Sequence, residues 1–84
     1  MRIVWDEPKR HANIAKHGLD FADLEIEFFV SARLLPAKAG RYLAVGNGAD
    51  GIAIAVVFRL LGAEAVSVIS MRRASRNERA SSDD

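Results

Sequence analysis

The strongest constraint on the fold of this chain is the alternation of apolar residues through its second half. The segments "RYLAVG", "IAIAVVFR" and "AVSVISM" have the two-residue period of strands that bury one face. Between the first two segments, "NGADG" contains both Asn-Gly and Asp-Gly, the pairs most typical of tight hairpins. A looser turn, "LLGAE", precedes the third segment. Together with a shorter candidate strand, "SARLLPA", these segments predict an antiparallel meander.

The two faces of "IAIAVVFR" differ in the size of their side chains. One face carries bulky apolar residues, namely Ile52, Ile54, Val56 and Phe58. The other carries small residues and one cation, namely Ala53, Ala55, Val57 and Arg59. The bulky face is expected to form the core under the helices, since successive strand residues point to opposite sides of a sheet. The small-residue face is either an open groove or the seat of a closely packed helix, and the sequence leaves both alternatives open.

The first half of the chain has helical signals after a short strand candidate, "RIVW". Asp6 is placed to cap the start of a helix, and Gly18 is placed to end it. Asp20 is expected to open a second helix across "FADLEIEFFV". A short basic helix is predicted near the end, with residues 79–84 expected to fray. The fold class is therefore α+β, an antiparallel sheet with helices packed on it, in one domain over residues 1–84.

Composition excludes several classes of protein. The 84 residues include no cysteine and two histidines, and no carboxylate cluster has the spacing of metal ligands, so neither a metal site nor a cofactor is expected. No apolar run reaches the ~20 residues of a membrane helix, and the first residues lack the apolar core of a signal peptide. A cytoplasmic location is therefore expected, without a membrane partner.

Basic residues are concentrated in "KRHANIAKHG" although the net charge of the chain is only +1. On a helix, Lys9, Asn13 and Lys16 line up at i, i+4 and i+7, with Arg10 and His17 on the same side. His11 falls on the opposite, apolar side and is expected to be a packed structural residue. The cationic ridge is either a surface that binds an anion such as an RNA backbone or an ordinary solvated face.

The C-terminal "MRRASRNER" repeats this pattern with arginine. Arg72, Arg76 and Arg79 have the spacing of one helix face. Arginine suits phosphate because its planar guanidinium can donate two parallel hydrogen bonds. Two basic segments in one small domain favour an anion-binding surface more than either does alone, although a basic terminal helix is also common as plain surface.

The segment "IVWDEPKRHANIAKHGLDFADLEIEFF" resembles the opening of the BrnT-type toxins of bacterial toxin–antitoxin modules. The matched positions are Trp5, Asp6, Lys9, Asn13, Lys16, His17, Gly18, Phe21 and Phe28. "VISMRRASRNER" is similar to a second signature of that family, matched at Ile69, Ser70, Arg72, Arg73, Ala74 and Glu78. The resemblance implies a fold similar to the RelE-type ribonuclease toxins and RNA cleavage that arrests translation. It also implies neutralisation by a cognate, BrnA-like antitoxin with a DNA-binding half, so that promoter DNA is bound only through the complex.

A ribonuclease without a metal needs a base, an acid and cations that stabilise the charged phosphorus centre. His17 is the family-matched side chain that titrates near neutrality, so it is the candidate for proton transfer; alternatively it only helps to close its helix. Arg72, assisted by Arg59, is the candidate for stabilising phosphate charge, and Ser70 is expected to cap the last helix. The expected contacts with the RNA backbone are Lys9, Arg10, Asn13, Lys16, Arg73 and Arg76.

Three positions depart from the family pattern. Met71 stands where the family has alanine, and Ser67 and Leu61 stand where arginine is common. Arg59, two residues before Leu61, is expected to replace the arginine missing at that position. Two other functions remain open: a catalytically degenerate homologue that binds an antitoxin or nucleic acid, and a housekeeping RNA-binding domain.

Overall fold

The computed structural model describes residues 1–82, which form a five-stranded sheet and three α-helices. The strands are β1 (Arg2–Trp5), β2 (Arg33–Pro36), β3 (Tyr42–Asn47), β4 (Ala53–Leu61) and β5 (Ala65–Arg73). The helices are α1 (Glu7–His17), α2 (Ile26–Ser31) and α3 (Arg76–Ser82). Strand order is β1-β5-β4-β3-β2, with β1 parallel to β5 and the other pairs antiparallel. The predicted α+β class is confirmed.

The C-terminal segment that was expected to fray is partly helical. α3 continues through Ser82, which lies within the predicted frayed range of residues 79–84. The last two residues of that range, 83 and 84, lie outside the described residues. The prediction of a short basic helix near the end of the chain is confirmed.

The predicted ends of α1 are also confirmed. The Asp6 carboxylate accepts a hydrogen bond from the backbone N–H of Lys9 at 3.2 Å, which satisfies one of the unpaired N–H groups of the first turn. Gly18 adopts a left-handed conformation with φ 70°, and its N–H bonds to the Ile14 carbonyl. Glycine suits this position because it has no Cβ to clash there.

The prediction of one helix starting at Asp20 is wrong. Asp20 caps a single 3₁₀ turn, Phe21–Asp23, by accepting from the N–H of Ala22 at 2.9 Å. The backbone then becomes extended at Leu24, and α2 starts at Ile26. Phe21 and Leu24, on either side of the end of this turn, are both buried.

The core lies between the sheet and the segment that contains the 3₁₀ turn and α2. Its buried members are Phe21, Leu24, Phe28, Phe29, Ala44, Ile54, Val56, Phe58, Val66, Val68 and Met71. Phe29 meets Phe58 edge to face, with ring centroids 5.1 Å apart. The bulky face of β4 is thus confirmed as the core face, except that Ile52 precedes the strand and is 38% exposed.

On the opposite side of the sheet, α3 packs over β3. Val45 and Ala55, which pair across β3 and β4, are buried on this side. Farther along, Val57 is only half buried and Arg59 is exposed. We call this side the α3 face. Both alternatives for the small-residue face are therefore partly realised: a helix covers one end, and the other end is open.

The edge of β5 has two different neighbours along its length. β1 pairs with residues 65–68 only. Beyond Val68 a bulge leaves Ile69 without a partner on β4, and the side chain of Asn13 then takes the place of a neighbouring strand. Its amide donates to the Met71 carbonyl at 2.9 Å and accepts from the Met71 N–H at 3.0 Å. A third bond reaches the Leu19 carbonyl at 3.0 Å. Asn13 thus fixes α1 beside the sheet and is 6% exposed.

The side of α1 that meets the sheet differs from the predicted apolar side. Arg10, Asn13, Ile14 and His17 are buried or half buried, at helical spacing. His11, expected to be packed, has a side chain that is 71% exposed. The expectation followed hydrophobicity, whereas the contact that docks this helix is a polar amide on a strand edge.

Replacing Asn13 with Ala should lower the free energy of unfolding by about 2–3 kcal/mol, because it removes three hydrogen bonds and leaves a buried backbone N–H unpaired. Urea unfolding measures the effect, with the exposed Asn77→Ala as control. Equal stability of the two variants would show that the amide does not serve as a strand edge.

A second contact fastens α1 to the turn that follows it. The Nε and Nη2 atoms of Arg10 donate to the two carboxylate oxygens of Asp20 at 2.7 and 3.0 Å. Hydrogen bonding to Arg10 is the main cause that lowers the pKa of Asp20 from 3.8 to about 2. Because the folded-state pKa is depressed, this pair stabilises the fold above pH 4 and loses its effect as pH falls towards 2.

Asp20→Asn should therefore flatten the acid side of the stability profile, so that unfolding free energy falls less between pH 4 and pH 2 than in the parent. Urea unfolding at constant ionic strength measures this difference. Asp23→Asn is the matched control, since Asp23 is exposed and forms no ion pair within the described residues. Parallel profiles for parent and Asp20→Asn would rule out the linkage.

Candidate active site

The first turn of α3 is closed by a reciprocal pair of hydrogen bonds. The Ser75 hydroxyl accepts from the N–H of Glu78 at 3.1 Å, and Glu78 Oε1 accepts from the N–H of Ser75 at 2.8 Å. This is a capping box, which satisfies two backbone donors at once. Ser75 is therefore the cap that was wrongly expected at Ser70, which instead lies within β5 opposite Val57.

The same Glu78 carboxylate also binds Arg72. Nη1 and Nη2 of Arg72 donate to its two oxygens at 2.7 and 2.9 Å, and Nη1 donates further to the Arg73 carbonyl at 3.3 Å. Hydrogen bonding to Arg72 is the main cause that lowers the pKa of Glu78 to about 2, and the pKa of Arg72 is raised by the same contact. Glu78 is thus a carboxylate at neutral pH, placed to orient the guanidinium and too weak a base to accept a proton there.

Arg72 retains donors for a further ligand. Its bonds to Glu78 use the end of the guanidinium formed by Nη1 and Nη2. The Nε–H and the second N–H of Nη2 have no hydrogen-bond partner among the described residues. These two donors point the same way and match two oxygens of a phosphate. The side chain is 38% exposed, so a ligand can reach it.

Beside Arg72, a cleft of about 240 Å³ lies between α1 and β5. Its walls are Lys9, Ala12, Asn13, Lys16, His17, Ile69 and Ser70. Ser70 is two residues from Arg72 on the same face of the strand, a distance of about 7 Å. The structure therefore brings together three of the cations and titratable groups predicted from the sequence, Lys9, Lys16 and His17; Arg72 does not line this cleft but follows Ser70 by two residues on β5.

Arg59 lies on the same face but not in the same place. Arg72 pairs with Ala55, and Arg59 is four residues farther along β4, about 13 Å away. It stands across from Ser67, and its Nη2 donates weakly to the Ala39 carbonyl at 3.4 Å. Arg59 was expected to replace the arginine missing at Leu61, and its place across from Ser67 neither confirms nor contradicts that expectation. Its role in catalysis stays a prediction.

Four other predicted RNA contacts lie outside this cleft or are already engaged. Arg10 is bound to Asp20 and Glu7, and the amide of Asn13, although at the cleft wall, is used by the backbone of β5. Arg73 points to the core side of the sheet, where it lines a separate cleft with Asp23 and Asp50. Arg76 is exposed at the start of α3.

The sequence analysis did not predict the structural roles of Glu78 and Arg41, two residues on the α3 face. Glu78 had a usable signal, because serine followed three residues later by glutamate is typical of a capping box. Arg41 had none: it is half buried just before β3, and its buried Nε has no hydrogen-bond partner within the described residues. Met71, a departure from the family pattern, is 4% exposed in the core, so that change lies outside the cleft.

Neither a membrane-spanning helix nor a metal centre is found in the part of the chain that the structure describes. None of the helices there is long and apolar enough to cross a membrane. Within the same range, no group of three histidine or carboxylate side chains is arranged to hold a metal ion.

Comparison with known proteins is consistent with these features. A family described as "Ribonuclease toxin, BrnT, of type II toxin-antitoxin system" matches residues 5–78. The chain is also similar to the crystal structure of the Brucella abortus ribonuclease toxin BrnT, with 62% sequence identity and a TM-score of 0.85 over 90% of this chain and 99% of that one. No curated protein sequence matches it. The chain belongs to the BrnT family of ribonuclease toxins of type II toxin–antitoxin systems.

Proposed function

We propose that the chain is a metal-independent endoribonuclease whose cutting of RNA arrests translation, and that the scissile phosphate is held at Arg72 beside the α1–β5 cleft. One observation carries the proposal: Glu78 fixes the guanidinium of Arg72 by one end and leaves a second pair of N–H donors for a phosphate. A preorganised donor pair of this kind is effective because it needs no reorganisation as charge develops.

The reaction that suits these groups is attack of the RNA 2′-hydroxyl on the adjacent phosphorus. A base removes the 2′ proton, the new P–O bond forms as the bond to O5′ breaks, and O5′ leaves with a proton. The products are a 2′,3′-cyclic phosphate and a 5′-hydroxyl. Arg72 stabilises the negative charge on the phosphate oxygens, and His17 transfers a proton. Lys9 and Lys16, both exposed at the cleft, hold the RNA backbone.

Membership of the family implies an antitoxin partner and an RNA substrate. We propose that the antitoxin is BrnA-like and carries a DNA-binding half, so that promoter DNA is reached through the complex and not by this chain alone. We also propose that the chain acts in the cytoplasm, because translated RNA is found there.

Arg72→Ala should lower the rate of RNA cleavage by about 10²–10³, because the variant has no donors aimed at the developing charge. Total RNA incubated with the purified protein in EDTA measures this. Arg73→Ala is the matched control: the same charge is removed from the next residue, which faces the other side of the sheet, and cleavage should persist. Thermal unfolding of each variant separates damage to the site from damage to the fold.

Equal cleavage by the parent and Arg72→Ala would exclude Arg72 from the site. If the parent itself cuts no RNA, the proposed independent nuclease is wrong, and arrest of growth on expression then separates a ribosome-dependent toxin from a degenerate homologue that only binds its partners.

His17→Gln should lower kcat by about 10²–10⁴ and abolish the limb of the pH–rate profile that reports the proton-transferring group. Cleavage of a short labelled RNA between pH 5 and 9 measures both effects. His11→Gln is the control, because His11 is an exposed histidine of the same helix. A variant at position 17 that keeps the parent's rate and profile would assign His17 to helix closure alone. A 3′-hydroxyl at the cut would exclude the cyclic-phosphate chemistry.

A further inference from the structure

The open end of the α3 face carries two arginines on neighbouring strands. Arg41 is extended, with φ −92° and ψ 167°, and directly precedes Tyr42, which pairs with Phe58. Continuing this antiparallel register by one residue places Arg41 across from Arg59. Tyr42 stacks on Phe58 on the core side, so the alternation of strand residues turns both arginines to the α3 face.

This pair lacks the partners that usually accompany neighbouring cations. Like charges directly across an antiparallel pair destabilise a sheet. Neither guanidinium forms an ion pair in the part of the chain that the structure describes. The Nε atom of Arg41 is buried and has no hydrogen-bond partner there. Because Nε is enclosed by protein, an external anion would meet the terminal N–H groups of Arg41, which are not among the buried atoms without a partner in the described residues.

The turn before β3 restrains Arg59 without neutralising it. Ala39 has φ 59° and Gly40 has φ 73°, and the Ala39 carbonyl accepts from Nη2 of Arg59 at 3.4 Å. A left-handed alanine is uncommon, since its Cβ crowds the backbone. The carbonyl supplies one neutral acceptor, and the remaining N–H donors of Arg59 have no partner among the described residues.

The position of the pair favours an RNA backbone as the anion. It lies about 13 Å along the sheet from Arg72, with Val57 between them on β4. Successive phosphates of one RNA strand are farther apart than the axial rise of about 3.4 Å per nucleotide, so the two places are a few nucleotides apart on one strand. We infer that Arg41 and Arg59 form a second phosphate subsite, which binds the RNA backbone a few nucleotides from the phosphate held at Arg72. This inference rests on the proposed ribonuclease function.

The test uses ligands that cannot be cut, namely 2′-O-methyl RNA of two and of eight nucleotides. Only the longer ligand can reach both places. Arg41→Gln and Arg59→Gln should each weaken binding of the eight-nucleotide ligand about tenfold, the effect expected for removing a charged hydrogen bond, and leave binding of the dinucleotide unchanged. The slope of log K against log salt should fall by about 0.7 for each phosphate that the variant no longer neutralises.

Lys38→Gln is the matched control, because Lys38 is an exposed cation in the same turn. It should change both affinities little. Thermal unfolding of Arg41→Gln should show a stability at least equal to the parent's, since an unpaired charge is removed, and this excludes misfolding as the cause of weaker binding.

Four outcomes would overturn the subsite. In the first, Arg41→Gln and Lys38→Gln bind the RNA ligands equally well; in the second, Arg41→Gln weakens binding of both ligand lengths equally. In the third, the parent binds no RNA. In the fourth, Arg41→Gln weakens binding of a poly-glutamate peptide only, which would indicate an acidic protein partner. The 2′-O-methyl ligands lack the attacking hydroxyl, so their binding is measured independently of cleavage. If ordinary RNA is not cleaved, the proposed nuclease is contradicted, and the binding test still decides on the subsite. Normal cleavage with an unchanged affinity in Arg41→Gln would contradict the subsite alone.

Discussion

The contact on which the site depends is the side-chain amide of Asn13 against the backbone of Met71. β5 has no strand neighbour beyond the point where β1 ends, and an amide with one donor and one acceptor face pairs with the exposed N–H and C=O as a strand would. The contact sets the height and rotation of α1 relative to the sheet. Lys9, Lys16 and His17 consequently lie beside β5.

Much of the architecture was predictable because its signals are local. Alternating apolar residues and glycine turns indicated the meander, and Asp6 and Gly18 marked the ends of α1. The errors arose where a distant contact decides the structure. A helical wheel ranks side chains by hydrophobicity, so it could not show that the docking side of α1 is centred on an asparagine bonded 58 residues away. The break at Leu24 was missed because Phe21, Leu24 and Phe28 keep helical spacing in the sequence across it.

The candidate site was predicted in its residue types more than in its geometry. The family signatures pointed to Arg72 and His17, and the structure places both around β5. It separates Arg59 from them, because residues that share one face of a sheet can still be far apart along the strand. Glu78 adds a constraint that single-residue reasoning misses: one carboxylate caps α3 and holds Arg72, so the first turn of the helix and the direction of the guanidinium are set together.

The bulge at Ile69 gives β5 two opposite phases. Before it, Val66 and Val68 point into the core; after it, Met71 does, and Ser70 and Arg72 emerge on the other side. A strictly alternating strand would send residues 70 and 72 inward with the valines and would bury a guanidinium among phenylalanines. Both halves of β5 contribute to the core, while Ile69 itself is left out of the ladder and lines the cleft. A chain without residue 69 would form a regular ladder and would keep Met71 in the core. The core therefore does not need Ile69, whereas the wall of the cleft does.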